Sequence, residues 1–63
     1  MPVITVKMGK VNNEVKKELI KKLTSSAVEV TKIAPESFTV FIEESEYDNI
    51  GIGGITLSEK YKK

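Results

Sequence analysis

Few residues in this sequence can bear chemistry. The chain has ten lysines, nine carboxylates and two tyrosines besides its termini, and it has no histidine and no cysteine. Without an imidazole there is no base for a Ser-His-Asp or Cys-His nucleophile system. The same absences exclude disulfide scaffolds and zinc fingers. The most informative position is Pro2. Methionine aminopeptidases remove Met1 when the second residue is small, and proline qualifies, so the processed chain would begin with a secondary amine. An α-amino group titrates near ~8, against ~10.4 for a lysine side chain. Proline's ring amine is more basic than an ordinary α-amine. Burial in an apolar pocket beside another cation lowers its pKa, by desolvation and by like-charge repulsion. Such an amine can act as a general base at about pH 7. Taken alone, Pro2 is more simply a tolerated residue, and the rest of the chain has to decide.

The elements that would position it follow from patterning. Residues Pro2 to Met8 are rich in β-branched side chains, with Val3, Ile4 and Val6 apolar on both faces. A strand apolar on both sides belongs in a sheet covered on both sides. Gly9 breaks it. Asn12 and Asn13 are candidate helix N-caps, and Glu14 suits the first turn. Val15, Leu19, Leu23, Ala27 and Val30 then form one apolar stripe, widened by Ile20. The spacing predicts a helix over Asn13 to Thr31, stopping before Pro35 because the residue preceding a proline resists helical ψ. A second strand is expected over Phe38 to Glu43, then a polar loop over Glu44 to Asn49. Gly51-Ile52-Gly53-Gly54 reads as a hairpin turn leading to Ile55-Thr56-Leu57 and a lysine-rich tail ending at Lys60, Lys62 and Lys63. The fold class is α+β: a single domain over residues 1–63, built on one β-α-β unit with parallel strands and a right-handed crossover, plus a C-terminal glycine-rich hairpin.

Size and patterning both point to self-association. For a chain of 63 residues the surface rule buries roughly 6,000 Å² on folding. With ~60% of that apolar at ~25 cal/mol/Å², burial contributes roughly 90 kcal/mol. Ordering costs about 1.5 kcal/mol per residue, also roughly 90. The terms cancel, so further burial has to come from copies of the same chain. One helix also cannot cover both faces of an apolar sheet. A net charge of +1 without arginine argues against nucleic acid, which needs a clustered cationic face. No apolar run approaches the ~18 residues of a membrane span, and no secretory leader is legible, so a cytoplasmic protein is expected.

Met-Pro before a strand, a Gly9-Lys10 step, a capped amphipathic helix, Ala34-Pro35, a second strand and Gly51-Ile52-Gly53-Gly54 together resemble the 4-oxalocrotonate tautomerase family. The likeness runs over nearly the whole chain. It implies a homohexamer, a trimer of dimers, and cofactor-free proton transfer at an amino-terminal proline. The substrates it implies are enols of 2-oxo acids, typically unsaturated dicarboxylates, in aromatic catabolism. Carried over by position, Pro2 matches the catalytic base. Lys10 matches an arginine that binds a substrate carboxylate; lysine keeps the charge and loses the bidentate fork. Thr39 falls where the family has a second arginine, so one cation is missing from the electrophilic clamp. Ile50 replaces a pocket phenylalanine and keeps a dry wall. The resemblance therefore implies a tautomerase with weak or altered activity on dicarboxylates, with no metal and no cofactor. The alternatives are a non-catalytic oligomeric module that retains the fold, and a related proline-based hydratase or dehalogenase.

Other polar residues have plainer readings. Lys16, Lys17, Lys21 and Lys22 read as a solvated helix face. Glu43, Glu44, Glu46 and Asp48 match no divalent-ion spacing. The glycine turn lacks the Lys-Ser/Thr and helix of a phosphate loop. Tyr47 either lines the pocket or covers a subunit contact.

Overall fold

Two strands that run side by side in the same direction organise the molecule, whose computed structural model describes residues 1–62. Strand β1 (Val3–Gly9) pairs in parallel with β2 (Thr39–Ser45), in a register from Val3 opposite Thr39 to Gly9 opposite Ser45. Helix α1 (Asn13–Thr31) makes the crossover. Both strands end later than the sequence suggests. Glu44 and Ser45, expected in a loop, continue the ladder because Met8 and Gly9 lie opposite them. The partner strand, not the local composition, keeps these residues in the ladder.

Local signals set both ends of α1. The Asn12 Oδ1 accepts a hydrogen bond from the Val15 amide at 2.9 Å, satisfying one of the four donors a helix start leaves free. At the other end Lys32 adopts φ 64°, and its amide donates to the Val28 carbonyl at 2.8 Å. The Thr31 hydroxyl donates to the Ala27 carbonyl at 2.7 Å and accepts from the Ile33 amide at 3.2 Å. Pro35 then opens a single 3₁₀ turn, Pro35–Ser37, that delivers the chain to β2.

The helix is rotated from the expected stripe. Val15 and Val30 are 45% and 80% exposed, whereas Lys16, Leu19, Leu23 and Ala27 are half-buried. The contact side therefore admits one lysine and leaves two valines in the open. The sheet shows the matching alternation. Ile4, Val6, Met8, Val40, Ile42 and Glu44 are half-buried on one face, while Val3, Thr5, Lys7, Phe41 and Glu43 are exposed. After a 3₁₀ turn at Tyr47–Asn49, β3 (Gly51–Ile52) and β4 (Ile55–Thr56) form the expected antiparallel hairpin. Its two turn residues, Gly53 at φ +61° and Gly54 at φ +84°, occupy the left-handed region that a side chain disfavours. A last short helix, α2 (Leu57–Lys60), is capped by the Thr56 hydroxyl, which accepts from the Glu59 amide at 3.2 Å. Of the expected lysine tail, Lys60 thus lies in α2 and Lys63 outside the described residues.

Among the described residues none is fully buried. The chain exposes 5142 Å², about 1,100 Å² above the roughly 4,000 Å² of a typical folded monomer this size. Its radius of gyration is 15.0 Å, against about 11 Å for a compact chain of the same length. The extents, 44 × 24 × 14 Å, describe a slab one helix and one sheet thick.

Candidate active site

Pro2 sits immediately before β1 and is half-buried. Its carbonyl accepts a hydrogen bond from the Thr39 amide at 3.1 Å, so the first residue of β2 pins the head of β1. Met1 is outside this arrangement, 93% exposed. Thr39 is half-buried and pairs with Val3, which brings it beside Pro2 in the same chain.

Lys10 lies past the other end of β1. Eight residue-to-residue steps lead to it from Pro2, and at about 3.3 Å each they span roughly 26 Å. Its ammonium is 2.6 Å from the Glu46 carboxylate, with the two side chains 62% and 61% exposed. The hydrogen bond and charge of Glu46, with a smaller contribution from the charge of Glu44, raise the Lys10 pKa above its ordinary value. A groove lined by Lys10, Ser45, Glu46, Tyr47, Asp48 and Ser58 opens at this end. Ile50 is half-buried nearby in the chain path. Its amide donates to the Tyr47 carbonyl at 3.2 Å, and its carbonyl accepts from the Leu57 amide at 2.8 Å.

The four residues singled out in the sequence therefore divide into two groups. Pro2 and Thr39 share one end of the sheet, and Lys10 and Ile50 belong to the segments at the other. A single chain does not bring them together.

Two residues at the Lys10 end have structural roles that the sequence reading missed. The Glu44 carboxylate accepts from the Val11 amide at 2.9 Å through Oε2 and from the Lys16 ammonium at 2.9 Å through Oε1. Those two contacts, the amide first, hold its pKa below the ordinary carboxylate value. Glu44 thereby ties the loop after β1 to both β2 and α1, and Lys16 is a partner in that tie rather than part of a solvated face. The signal was present in the period-two series Val40, Ile42, Glu44, which puts the carboxylate on the helix side. The second is Tyr47. Its ring lies so close over Gly9 that a Cβ there would stand 2.7 Å from the Tyr47 Cε1, and Tyr61 leans on it with ring centroids 5.7 Å apart. Among the described residues no group of three carboxylates converges as a metal site would require.

A parallel strand pair, one crossover helix, a glycine hairpin and a proline at the head of the first strand define a small α+β protein built on a single β-α-β unit. Within that class the match is specific: the sequence profile of the tautomerase enzyme family covers residues 2–60, and the chain belongs to that family. It is 42% identical over 62 residues to a probable tautomerase of Bacillus cereus, covering 95% of this chain and 100% of that one. It is 39% identical over 61 residues to the 2-hydroxymuconate tautomerase of Bacillus subtilis, covering 94% and 97%. The crystal structure of YwhB, a homologue of 4-oxalocrotonate tautomerase, superposes with a TM-score of 0.86 at 37% identity over 92% of this chain and 97% of that one. The chain is thus an isomerase of the tautomerase type, with the fold of the 4-oxalocrotonate tautomerase group. No helix among the described residues is long and apolar enough to cross a membrane.

Proposed function

We propose that, once Met1 is removed, the Pro2 ring nitrogen is the general base of a cofactor-independent tautomerase acting on 2-hydroxydienoate and 2-oxo acid substrates. The nitrogen takes the proton of the enol hydroxyl as the oxygen becomes a carbonyl and the double bonds shift along the chain. It then returns that proton to carbon, so the product is the isomeric 2-oxo acid. The observation that carries the reading is the anchoring of Pro2. Its carbonyl is held by the Thr39 amide, while Met1 stands 93% exposed and takes no part in the strand. Cleavage before Pro2 would leave the head of β1 where it is and free a secondary amine at a half-buried position.

Lys10 supplies the positive charge for a substrate carboxylate, as a lysine ammonium does at about pH 7. Thr39, beside the base, donates one hydrogen bond to the reacting oxygen, and Ile50 supplies apolar wall. Because Lys10 and Ile50 lie far from Pro2 in one chain, the complete site takes them from another copy. The bare sheet face and the surplus surface support that assembly, which we read as a homohexamer, a trimer of dimers, with residues 1–63 forming one domain. The reading also includes a cytoplasmic setting and substrates from aromatic catabolism, with no metal, cofactor, nucleic acid or membrane partner.

One observation favours the rival reading, an oligomeric module that has kept the fold and lost the reaction: Lys10 already has a carboxylate partner in Glu46. Alkylation with 3-bromopropynoate separates the two. The expected result is one adduct per chain, placed on Pro2 by mass spectrometry after treatment at about pH 7. Labelling spread over the lysines, or no labelling of Met-processed protein, would overturn the enzymatic reading.

A further inference from the structure

The two ion pairs at the Lys10 end differ in kind. Lys16 and Glu44 are 29% and 22% exposed, and Glu44 is held a second time by the Val11 amide. That carboxylate is fixed. Lys10 and Glu46 are each more than 60% exposed, and among the described residues the Glu46 carboxylate makes no second contact of this type. It can turn away into water without leaving a buried group unpaired. Among the described residues that line its groove, Lys10 is the one cation, beside two carboxylates, Glu46 and Asp48.

From this we propose that Glu46 is a specificity-determining residue: its carboxylate is the resident occupant of the anion subsite at Lys10, and it lowers selectivity for substrates that carry a second carboxylate. The inference rests on the reading that Lys10 holds a substrate carboxylate. A dicarboxylate gains Lys10 only by displacing Glu46, and it does so beside Asp48. A monocarboxylate bound with its carboxylate at the Pro2 and Thr39 end, next to where a 2-oxo acid has its reacting oxygen, presents nothing to the Lys10 subsite and is indifferent to Glu46. The protein consequently discriminates little between the two.

Hexa-2,4-dienedioate (muconate) and hexa-2,4-dienoate (sorbate) test this without turnover, because they share a six-carbon diene and differ by one carboxylate. Their dissociation constants are measured by calorimetry on the Met-processed assembly. For the unsubstituted protein the two constants agree within about twofold. In Glu46→Gln, muconate binds roughly two- to fivefold more tightly, the range that one exposed ion pair spans, and sorbate is unchanged. Adding Lys10→Ala to Glu46→Gln removes the gain. Asp48→Asn, which alters the same groove without touching the ion pair, gives a smaller change. Amide spectra of each variant check the fold. The proposal is overturned if muconate affinity is unmoved, if both ligands tighten together as a general field effect would make them, or if neither ligand binds. The result is independent of Pro2 alkylation. An unlabelled Pro2 with the muconate–sorbate split intact removes the base and leaves the subsite; a labelled Pro2 without the split removes only the role of Glu46.

Discussion

A threonine hydroxyl donates one hydrogen bond and carries no charge, which limits what Thr39 can do for a developing enolate oxygen. Removing one preorganised stabiliser from such a position costs about 10²–10³ in rate. Thr39 is half-buried and hydrogen-bonded through its backbone to Pro2, so the backbone contact survives any change of side chain. Thr39→Arg is therefore expected to raise kcat on 2-hydroxymuconate by about tenfold, a guanidinium in imperfect geometry recovering part of the lost stabilisation. Steady-state kinetics of the variant against the unsubstituted protein measure it. An unchanged or lower kcat, with the fold intact, would mean that the oxygen develops its charge elsewhere. What the sequence conveys at this scale is identity: Pro2 is a candidate by its position and gains weight only from the rest of the chain, and Lys10, Thr39 and Ile50 emerge from likeness to a family. Their separation follows once β1 is straight and paired, when the eight steps from Pro2 to Lys10 span roughly 26 Å.

At the scale of elements, the loop between β1 and α1 is held chiefly by Glu44, through Val11 and Lys16. A carboxyl whose folded pKa lies below its unfolded value of about 4.3 stabilises the fold at all pH values above the latter. That contribution disappears as pH falls through the lowered folded value. The positive charges that face Glu44 are those of Lys16 and, more distantly, Lys10. Thermal melts followed by circular dichroism should accordingly show Glu44→Gln melting below the unsubstituted protein at about pH 7, with the two midpoints converging as both are taken to about pH 3. Parallel curves would deny Glu44 this role. The elements also show what local sequence can and cannot encode. Helix α1 spans Asn13–Thr31 as its signals indicate, because Asn12 and Pro35 act within one turn of its ends. Its rotation was not legible. Periodicity accommodates a stripe through Val15 as readily as one through Lys16, and the choice depends on a carboxylate 28 residues away in β2. Strand ends fail for the same reason, since Ser45 stays in the ladder only because Gly9 lies opposite.

For the molecule as a whole, the decisive quantity is the distance between the two halves of the site. If Pro2 and Lys10 act on one substrate, they come from different copies, since within a chain they lie at opposite ends of β1. This arrangement permits complementation between two damaged chains. Pro2→Ala replaces the ring amine by a primary amine and should leave slight activity; Lys10→Ala should chiefly raise KM. Each alone forms assemblies in which every site is defective. When equal amounts are unfolded together and refolded, each site draws its base from one copy and its lysine from another. With random assortment, about a quarter of the sites then contain both original residues. Assayed at substrate well below the original KM, the mixture should therefore recover about a quarter of the unsubstituted activity, far above the average of the two separate variants. On the proposed assembly, light scattering on the same sample should report more than two chains, a reading that the exposed Val3, Phe41 and Val30 support. Recovery no greater than that average would place both residues in one chain's own site, which a straight β1 does not allow, and the shared-site account would fall with it.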